Sequence, residues 1–286
     1  MKVAYCVICH RNSEVLRETI NILYETNDIY IYIDSKSNME DFDEYKDKVL
    51  YMNNDVDIRW GSYALTEVMV NGIKKIIKKN YDYISFISGD CLPIKNDIEI
   101  KKFLSQNKGM EFIGIKNNIN QNEINKRVEY CYPKIYFKKN KNIIERILIR
   151  IINKFKILKK NKYFSKLPTI YKGCNWFTIT GELANYIVSY LQDNIDYERA
   201  FYKSFISDEI FFHTIVMNSS YKYNVFNEYE DDNLNSLRYI DWNSGPDYPK
   251  ILDEEDMSLI LESNCLFARK FSENLNIEEY KRLLNI

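Results

Sequence analysis

The sequence predicts an α/β protein built on a mostly parallel, twisted sheet with helices on both faces. Over residues 1–115, apolar strand-like segments alternate with amphipathic helical segments, which is the order that produces parallel sheets. Polar residues follow the ends of the predicted strands, at the edge where such sheets bind ligands. The chain has 286 residues, of which 45% are hydrophobic, and is therefore long enough for one large core.

Hydrophobic periodicity predicts the elements of the first 115 residues. A strand over residues 2–9 is followed by a helix for which Ser13 is a suitable N-cap. A helix over residues 64–79 ends in a basic turn, which suits the helix dipole. The other predicted elements are strands at 29–34, 81–90 and 110–115, short extended pieces at 49–52 and 56–60, and a helix at 97–106.

Polar residues stand at the predicted strand ends of this first part. They are His10, Arg11, Asp34, Arg59 and Asp90. Because the carboxyl ends of parallel strands meet at one edge of a sheet, we expect these side chains to lie close together. The sequence thus predicts a ligand-binding edge.

The middle of the chain, residues 117–172, has a different composition, rich in Asn, Lys and Tyr. Between Lys138 and Lys162 there are ten basic residues and one acid, and apolar residues from Ile144 to Leu158 form one helical stripe. Two interpretations stay open. The helix packs its stripe on the domain and exposes a basic face, or it lies at a membrane surface and contacts anionic lipid.

Regular structure is predicted again after residue 172. A strand, a turn and a helix are expected over 175–191, a helix over 207–219, extended segments at 221–226 and 236–242, a helix at 254–263, a strand at 266–271 and a last helix from Ile277. Since no linker rich in Gly, Pro or Ser interrupts the chain, we expect a single domain.

The charge balance excludes some classes of protein. The chain has 40 Lys and Arg against 41 Asp and Glu, whereas a nucleic-acid binder is usually strongly basic, so we expect no nucleic-acid partner. No apolar run approaches ~18 residues, the length of a membrane-spanning helix. The N-terminus also lacks the pattern of a signal peptide. We therefore expect a cytoplasmic protein, with peripheral contact with the inner face of the cell membrane as the alternative.

The six cysteines are scattered, and we expect free thiols. Cys6 and Cys9 form a C-x-x-C pair, but side chains three apart on a strand point to opposite faces. No second Cys or His pair completes a zinc site. The sequence therefore predicts no metal or redox centre at these cysteines.

Two acidic segments are candidates for chemistry. Asp208 and Glu209 start a predicted helix, where acids either favour the helix dipole or supply a carboxylate general base. The strand-end segment ISGDCLPIK carries Asp90 as its only acid and is not a D-x-D motif. A metal-dependent sugar transferase normally places two acids here, so we expect no essential divalent metal.

Four cations lie near the carboxyl end of the chain: Arg238, Lys250, Arg269 and Lys270. Each would ordinarily be a solvated surface residue. Arg269 and Lys270, however, interrupt the otherwise apolar segment LFARKF. Cations fixed in such a place can neutralise a leaving diphosphate.

Taken in order, these motifs resemble one family. The segments are AYCVICHRNSEVL, IYIYIDSKS, RWGSYALTEVMVNGIKKII, YDYISFISGDCLPIK, NWFTIT, DEIFFHT, LRYIDW and LFARKF. The sequence resembles the core-2/I-branching glycosyltransferases, glycosyltransferase family 14, over residues 3 to 271 except for the region 117–170. That family includes β-1,6-N-acetylglucosaminyltransferases and peptide O-xylosyltransferases.

The resemblance implies a GT-A-like fold, a UDP-sugar donor and inversion of the anomeric centre without a required metal or other cofactor. The chain would then be one domain over 1–286, with a nucleotide-sugar-binding half (1–116), a variable basic helical insertion (117–172) and an acceptor-binding, catalytic half (173–286).

The resemblance also implies roles for residues. Glu209 matches the catalytic base, and Lys270 matches a lysine that contacts the donor diphosphate. Lys250 is the best match for a second cation, although its spacing is slightly off. Residues expected at the donor are His10, Arg11, Asp34, Arg59, Asp90 and Arg269, and residues expected at the acceptor are Trp242 and Asp208.

The function implied is transfer of a sugar from a UDP-sugar to a hydroxyl of a glycan or lipid-linked glycan, in synthesis of a bacterial surface polysaccharide. GlcNAc is the first choice of sugar, followed by xylose or a hexose. Two other classes stay open: a non-catalytic nucleotide-sugar or glycan-binding module, and a membrane-peripheral interaction protein that uses residues 138–162. The presence of both Glu209 and Lys270 favours the enzyme.

Overall fold

The computed structural model describes residues 1–246, 248–273 and 275–284. Its strands are β1 Val3–Cys9, β2 Asp28–Ile33, β3 Tyr51–Asn53, β4 Tyr83–Ser88, β5 Leu92–Pro93, β6 Tyr130–Cys131, β7 Lys159–Lys160, β8 Thr178–Thr180, β9 Arg238–Ile240 and β10 Phe267–Arg269. Its helices are α1 Glu14–Leu23, α2 Ala64–Ile76, α3 Asp97–Gln106, α4 Gln121–Glu129, α5 Ile143–Phe155, α6 Gly181–Asp193, α7 Ile195–Phe201, α8 Phe211–Met217, α9 Asp232–Asn235, α10 Met257–Glu262 and α11 Ile277–Leu284.

The central sheet has the order β3-β2-β1-β4-β8. The first four strands are parallel, and β8 runs antiparallel to β4. Ile8 of β1 is paired with Tyr32 of β2 and with Ser88 of β4, so the carboxyl ends of these three strands lie level. The prediction of an α/β fold with a mainly parallel sheet is confirmed.

Both faces of this sheet are buried, since alternate residues of β1 point into two different cores. Cys6 and Ile8 pack with apolar residues of α2, α6 and α8. Tyr5 and Val7 pack on the other face with residues of α1 and α3. This two-sided burial explains why β1 is an unbroken apolar run.

A second, smaller sheet has the order β5-β10-β9. Arg238 of β9 is completely buried and joins the two sheets, because its Nη2 donates hydrogen bonds to Ser85 Oγ (2.9 Å) and Thr178 Oγ1 (3.1 Å) of the central sheet. Its guanidinium also lies 4.6 Å from the ring centre of Phe267. Arg238 is therefore not the solvated surface residue that the sequence suggested.

Residues 207–219 do not form one helix. A 3-10 turn at Ser207–Glu209 is followed by α8, which begins at Phe211. Ile210, between the turn and α8, has a φ of −130°, which is not a helical value and separates the two. Ile206, just before the turn, has a φ of 53°. Glu209 is thus presented by a turn before the helix.

The exposure of helix α5 decides between the two interpretations of the basic middle region. None of its residues is buried, and its apolar stripe faces outward. Ile143 and Ile144 are each 76% exposed, and Phe155 is 65% exposed. The interpretation in which this stripe packs on the domain is wrong. Across the described residues, no helix is long and apolar enough to cross a membrane.

Candidate active site

The carboxyl edge of the central sheet is held together by contacts that continue beyond the strands. The backbone N–H of Asp34 donates to Cys9 O (2.8 Å), and that of Gly89 donates to Ile8 O (2.9 Å). A Cβ on Gly89 would lie 2.5 Å from Cys9 Cβ, so a glycine is required for this close approach. One edge of the sheet therefore carries the backbones of His10, Asp34 and Asp90 close to one another.

Asp90 is bound by Arg269, which was also predicted at this site. Arg269 Nη2 lies 3.3 and 3.4 Å from the two carboxylate oxygens of Asp90, and Ser88 Oγ donates to the same group. Burial alone would raise the pKa of Asp90, but Arg269, Ser88 and Lys270 together hold it below its usual value. Asp90 is thus an ionised carboxylate that fixes Arg269 beside Lys270.

Lys270 is a half-buried lysine at the same edge. Within the described ranges, its ammonium forms no ion pair, although its charge acts on both Asp90 and His10. Burial, followed by the charge of Arg11, lowers the pKa of His10, and Lys270 adds to this effect against the opposing charges of Asp90 and Asp34. The edge therefore carries a neutral histidine and a lysine available to an anionic ligand.

Asp34 and Arg59 belong to a chain of alternating charges. Asp34 pairs with Lys36 Nζ (2.7 Å), which also pairs with Asp57 (2.7 Å). Asp57 in turn pairs with Arg59 Nη2 at 2.6 Å. Only Asp34 is buried, and Arg59 is half-exposed, so the chain runs from the sheet edge to the surface.

The segment that carries Lys250 runs next to Lys270, because the N–H of Leu252 donates a hydrogen bond to Lys270 O (2.7 Å). The ammonium of Lys250, however, pairs with Asp256 Oδ1 at 2.6 Å. That hydrogen bond raises the pKa of Lys250. The charge of Lys250 is thus neutralised within the protein.

Two other predicted residues lie nearer the surface. Arg11 forms an ion pair with Glu273 on the segment after β10. Trp242 lies in the turn after β9 and is 46% exposed.

The Glu209 carboxylate is held by two cations from the middle region. Arg127 Nη1 (2.8 Å) and Lys172 Nζ (3.0 Å) both contact its Oε2. Burial would raise the pKa of Glu209, but these two charges hold it below its usual value. In the described part of the chain, Oε1 accepts no hydrogen bond, and the side chain is 28% exposed. One oxygen of an ionised carboxylate is therefore left to accept a proton.

Asp208 has the opposite environment. Its side chain is buried and accepts a hydrogen bond from Asn175 Nδ2 at 2.8 Å. Burial and the neighbouring charge of Glu209 raise the pKa of Asp208 to about 6. The two adjacent acids thus have pKa values shifted in opposite directions, an arrangement typical of active sites.

The segment Gly173–Trp176 connects Glu209 with the sheet edge. The N–H of Gly173 donates to Glu209 O (2.9 Å), and the ring centre of Trp176 lies 5.4 Å from the guanidinium of Arg269. His213 fixes the segment, because its Nε2 lies 2.9 Å from Cys174 O. Burial lowers the pKa of this histidine to about 4. Glu209 and the Arg269–Lys270 pair therefore flank one short segment.

Sequence reasoning missed several of these residues: Arg127, Lys172, Asn175 and His213. Arg127 belongs to the region 117–170, where the sequence shows no resemblance to the family, and Lys172 lies two residues beyond it. Asn175 and His213 lie in quoted motifs, NWFTIT and DEIFFHT, but their types alone did not distinguish them from core residues. No group of three or more His, Cys, Asp or Glu side chains is placed to hold a metal ion in residues 1–246, 248–273 and 275–284.

The carboxyl edge of this parallel α/β sheet carries Lys270, which has no ion pair among the described residues, and the segment Gly173–Trp176 links that edge to the ionised carboxylate of Glu209. These features define a candidate group-transfer enzyme. Residues 3–261 match the family model of the Core-2/I-Branching enzymes, and the chain belongs to this family of glycosyltransferases. The α/β fold with a mainly parallel central sheet flanked by helices agrees with this membership. No curated protein matches the sequence.

A solved structure similar to part of the chain is the crystal structure of S. aureus TarS, with 13% sequence identity and a TM-score of 0.29. The match covers 37% of this chain and 20% of the TarS chain, so the alignment spans about a fifth of that protein.

Proposed function

We propose that this glycosyltransferase inverts the anomeric centre of a UDP-sugar and that Glu209 is its general base. The observation that carries the proposal is the Glu209 carboxylate, ionised by Arg127 and Lys172 and with Oε1 free of protein contacts in the described residues. The donor sugar we propose is GlcNAc, with xylose or a hexose next. The acceptor we propose is a hydroxyl of a glycan or lipid-linked glycan of a bacterial surface polysaccharide.

In the proposed reaction, the acceptor hydroxyl oxygen forms a bond to C1 of the sugar while the bond from C1 to the UDP oxygen breaks. The hydroxyl proton moves to Glu209 Oε1, and the electron pair of the broken bond leaves with UDP. A carboxylate of low pKa is suited to this step, because the hydroxyl becomes acidic as its oxygen bonds to a carbon with oxocarbenium character.

The cations at the sheet edge would stabilise the leaving diphosphate in place of a metal ion. Lys270 is the principal group, with Arg269 held beside it by Asp90. Lys250, on the adjacent segment, would join them by exchanging its ion pair with Asp256 for the diphosphate. We propose that His10, Arg11, Asp34, Arg59 and Asp90 contact the donor and that Trp242 and Asp208 contact the acceptor.

The test of the base is Glu209→Gln, with Glu123→Gln on the exposed face of α4 as the matched control. The first variant should bind UDP like the wild type but lose about 10²–10⁴-fold in transfer rate, whereas the control should keep its rate. Transfer near the wild-type rate by Glu209→Gln would remove this residue from the role. Excess EDTA should leave most of the activity, and loss of transfer that Mn²⁺ restores would contradict metal independence.

We also propose that α5 brings the enzyme to the inner face of the cell membrane. The support is an exposed apolar stripe on a helix that lies among the ten basic residues between Lys138 and Lys162. Apolar side chains enter the headgroup boundary, and each nearby cation adds about 1 kcal/mol of attraction to anionic lipid. A lipid-linked acceptor would then be within reach.

Co-sedimentation with phosphatidylglycerol vesicles tests this placement. The wild type should bind these vesicles and not phosphatidylcholine vesicles, and Ile147→Glu combined with Leu148→Glu should abolish binding. Ile98→Glu is the matched control, because Ile98 is a 79% exposed apolar residue of α3. Equal binding by the double variant and the wild type would refute the proposal.

A further inference from the structure

A shallow cavity of about 540 Å³, largely open to solvent, lies between α5 and the loop that precedes α2. It is separate from the sheet edge, and no residue proposed above for the donor or the acceptor lines it. Its walls combine four aromatic rings with three cations, a composition that fits an amphipathic anionic ligand.

Phe205 is at the centre of the aromatic wall. Its ring centre lies 5.7 Å from that of Trp60 and 5.3 Å from that of Tyr132, and Tyr132 is 5.2 Å from Tyr136. Trp60 is 70% exposed, which is unusual for the largest side chain. Exposed ring faces of this kind offer flat apolar area against which a sugar ring can pack.

Arg146, Arg150 and Lys141 form the opposite wall. None of the three pairs with a carboxylate in the part of the chain that the structure describes. Lys141 Nζ donates to Lys138 O (2.6 Å) and Arg146 Nε donates to Lys141 O (3.1 Å). The terminal nitrogens of Arg146 have no partner among the residues that the structure describes. Arg146 and Arg150 are one helical turn apart, so their like charges repel unless an anion lies between them.

Arg127 connects this cavity with the catalytic carboxylate. Its carbonyl accepts a hydrogen bond from the N–H of Phe205 (2.8 Å), and its guanidinium binds Glu209 (2.8 Å). The N–H of Ile206 also donates to Gly61 O at 2.7 Å, next to Trp60. A backbone hydrogen bond therefore joins the aromatic wall to the residue whose side chain holds Glu209.

We propose that this cavity is an acceptor subsite for an anionic glycan, a sugar that carries a phosphate or a carboxylate. The inference rests on the proposed function and adds the charge of the acceptor to it. The sugar ring packs on Trp60 and Phe205, and the anionic group binds Arg146 and Arg150, whose planar guanidinium groups match both anions.

Isothermal titration calorimetry with three soluble probes tests the subsite: GlcNAc 1-phosphate, glucuronic acid and neutral GlcNAc. At least one anionic probe should bind tenfold or more tightly than GlcNAc, and the probe that does so identifies the anion. Arg146→Ala combined with Arg150→Ala should abolish this preference. Lys154→Ala combined with Lys156→Ala removes the same charge from the last turn of α5 and the residue that caps it, outside the cavity, and this variant should keep the preference.

The variant Lys270→Ala distinguishes binding at this subsite from binding at the donor site. It should leave the preference for the anionic probe intact. Three results would overturn the subsite: no preference for an anion, a preference lost in Lys270→Ala, or a preference kept in the double arginine variant. Trp60→Ala should weaken the binding of every probe, and unchanged binding would exclude the aromatic wall. Because these are binding measurements, they fail independently of the transfer assay on Glu209→Gln.

Discussion

Arg127 donates a hydrogen bond of 2.8 Å to Glu209, and this contact joins the variable middle of the chain to the proposed base. Lys172, from the end of the same region, contacts the same carboxylate oxygen at 3.0 Å. The two cations keep Glu209 ionised and fix its orientation. The region in which the family resemblance was weakest therefore sets the charge state of the proposed catalytic residue.

Replacing Arg127 with Met should raise the pKa of Glu209, because burial then acts against one cation instead of two. The low-pH limb of the profile of kcat/KM should move to higher pH, with a larger loss of transfer at pH 5 than at pH 8. Arg199→Met, at an exposed arginine paired with Asp196, is the control. An acid limb identical to that of the wild type would contradict this account of Glu209.

Asp208 should give the wild-type profile a second inflection near pH 6, where its own pKa lies. As the pH rises through this value, the new negative charge beside Glu209 makes Glu209 a stronger base, so the transfer rate should rise. Asp208→Asn cannot ionise, and its profile should lack this inflection. A persisting inflection near pH 6 in the variant would assign it to another group.

Lys270→Ala should lower kcat by about 10²–10³-fold if Lys270 stabilises the leaving diphosphate. Its melting temperature should stay unchanged, since Lys270 has no ion pair among the described residues. Lys250→Ala should lower the melting temperature instead, because it leaves the buried carboxylate of Asp256 without its partner. Thermal unfolding and initial rates measured together decide between the two roles, and an unchanged kcat in Lys270→Ala would exclude it from the diphosphate site.

The buried carboxyl of Glu111 should make the stability of the protein depend on pH. It is completely buried, accepts hydrogen bonds from Thr180 N (2.8 Å) and Oγ1 (2.6 Å), and burial raises its pKa from 4.5 to about 7. Between these two pH values the folded chain keeps the proton that the unfolded chain releases, so the free energy of unfolding falls as pH rises.

The contribution of this carboxyl should amount to about 3 kcal/mol at most. Urea unfolding at pH 5 and pH 8 should show a smaller decrease in stability for Glu111→Gln than for the wild type. In the control Glu182→Gln, at a nearby exposed acid, the free energy of unfolding should decrease as much as in the wild type. Equal decreases for Glu111→Gln and the wild type would show that Glu111 does not cause the effect.

The sequence predicted the sheet and the edge that carries His10, Asp34 and Asp90, because alternating apolar segments and polar strand ends are local patterns. It also predicted Arg269 and Lys270 as candidates to face a diphosphate, because these two charges interrupt the apolar segment LFARKF. It did not predict that Glu209 lies on a turn before α8, since the φ angles of Ile206 and Ile210 respond to packing around them.

Local pattern by itself determined the fold class and the strand ends, since each depends on residues within a few positions of one another. Glu209 was proposed as the base through the family resemblance, because its local pattern equally suits an acid at a helix start. Only the tertiary structure decided the partners of that base. Arg127 lies 82 positions from Glu209 in the sequence, and no periodicity links residues so far apart. The tertiary structure also decided which cations are available. Arg238 is buried between two sheets and Lys250 is paired with Asp256, whereas Lys270 is half-buried and has no ion pair in the described part of the chain. Burial and pairing are properties of the packed chain, and a list of residue types does not contain them.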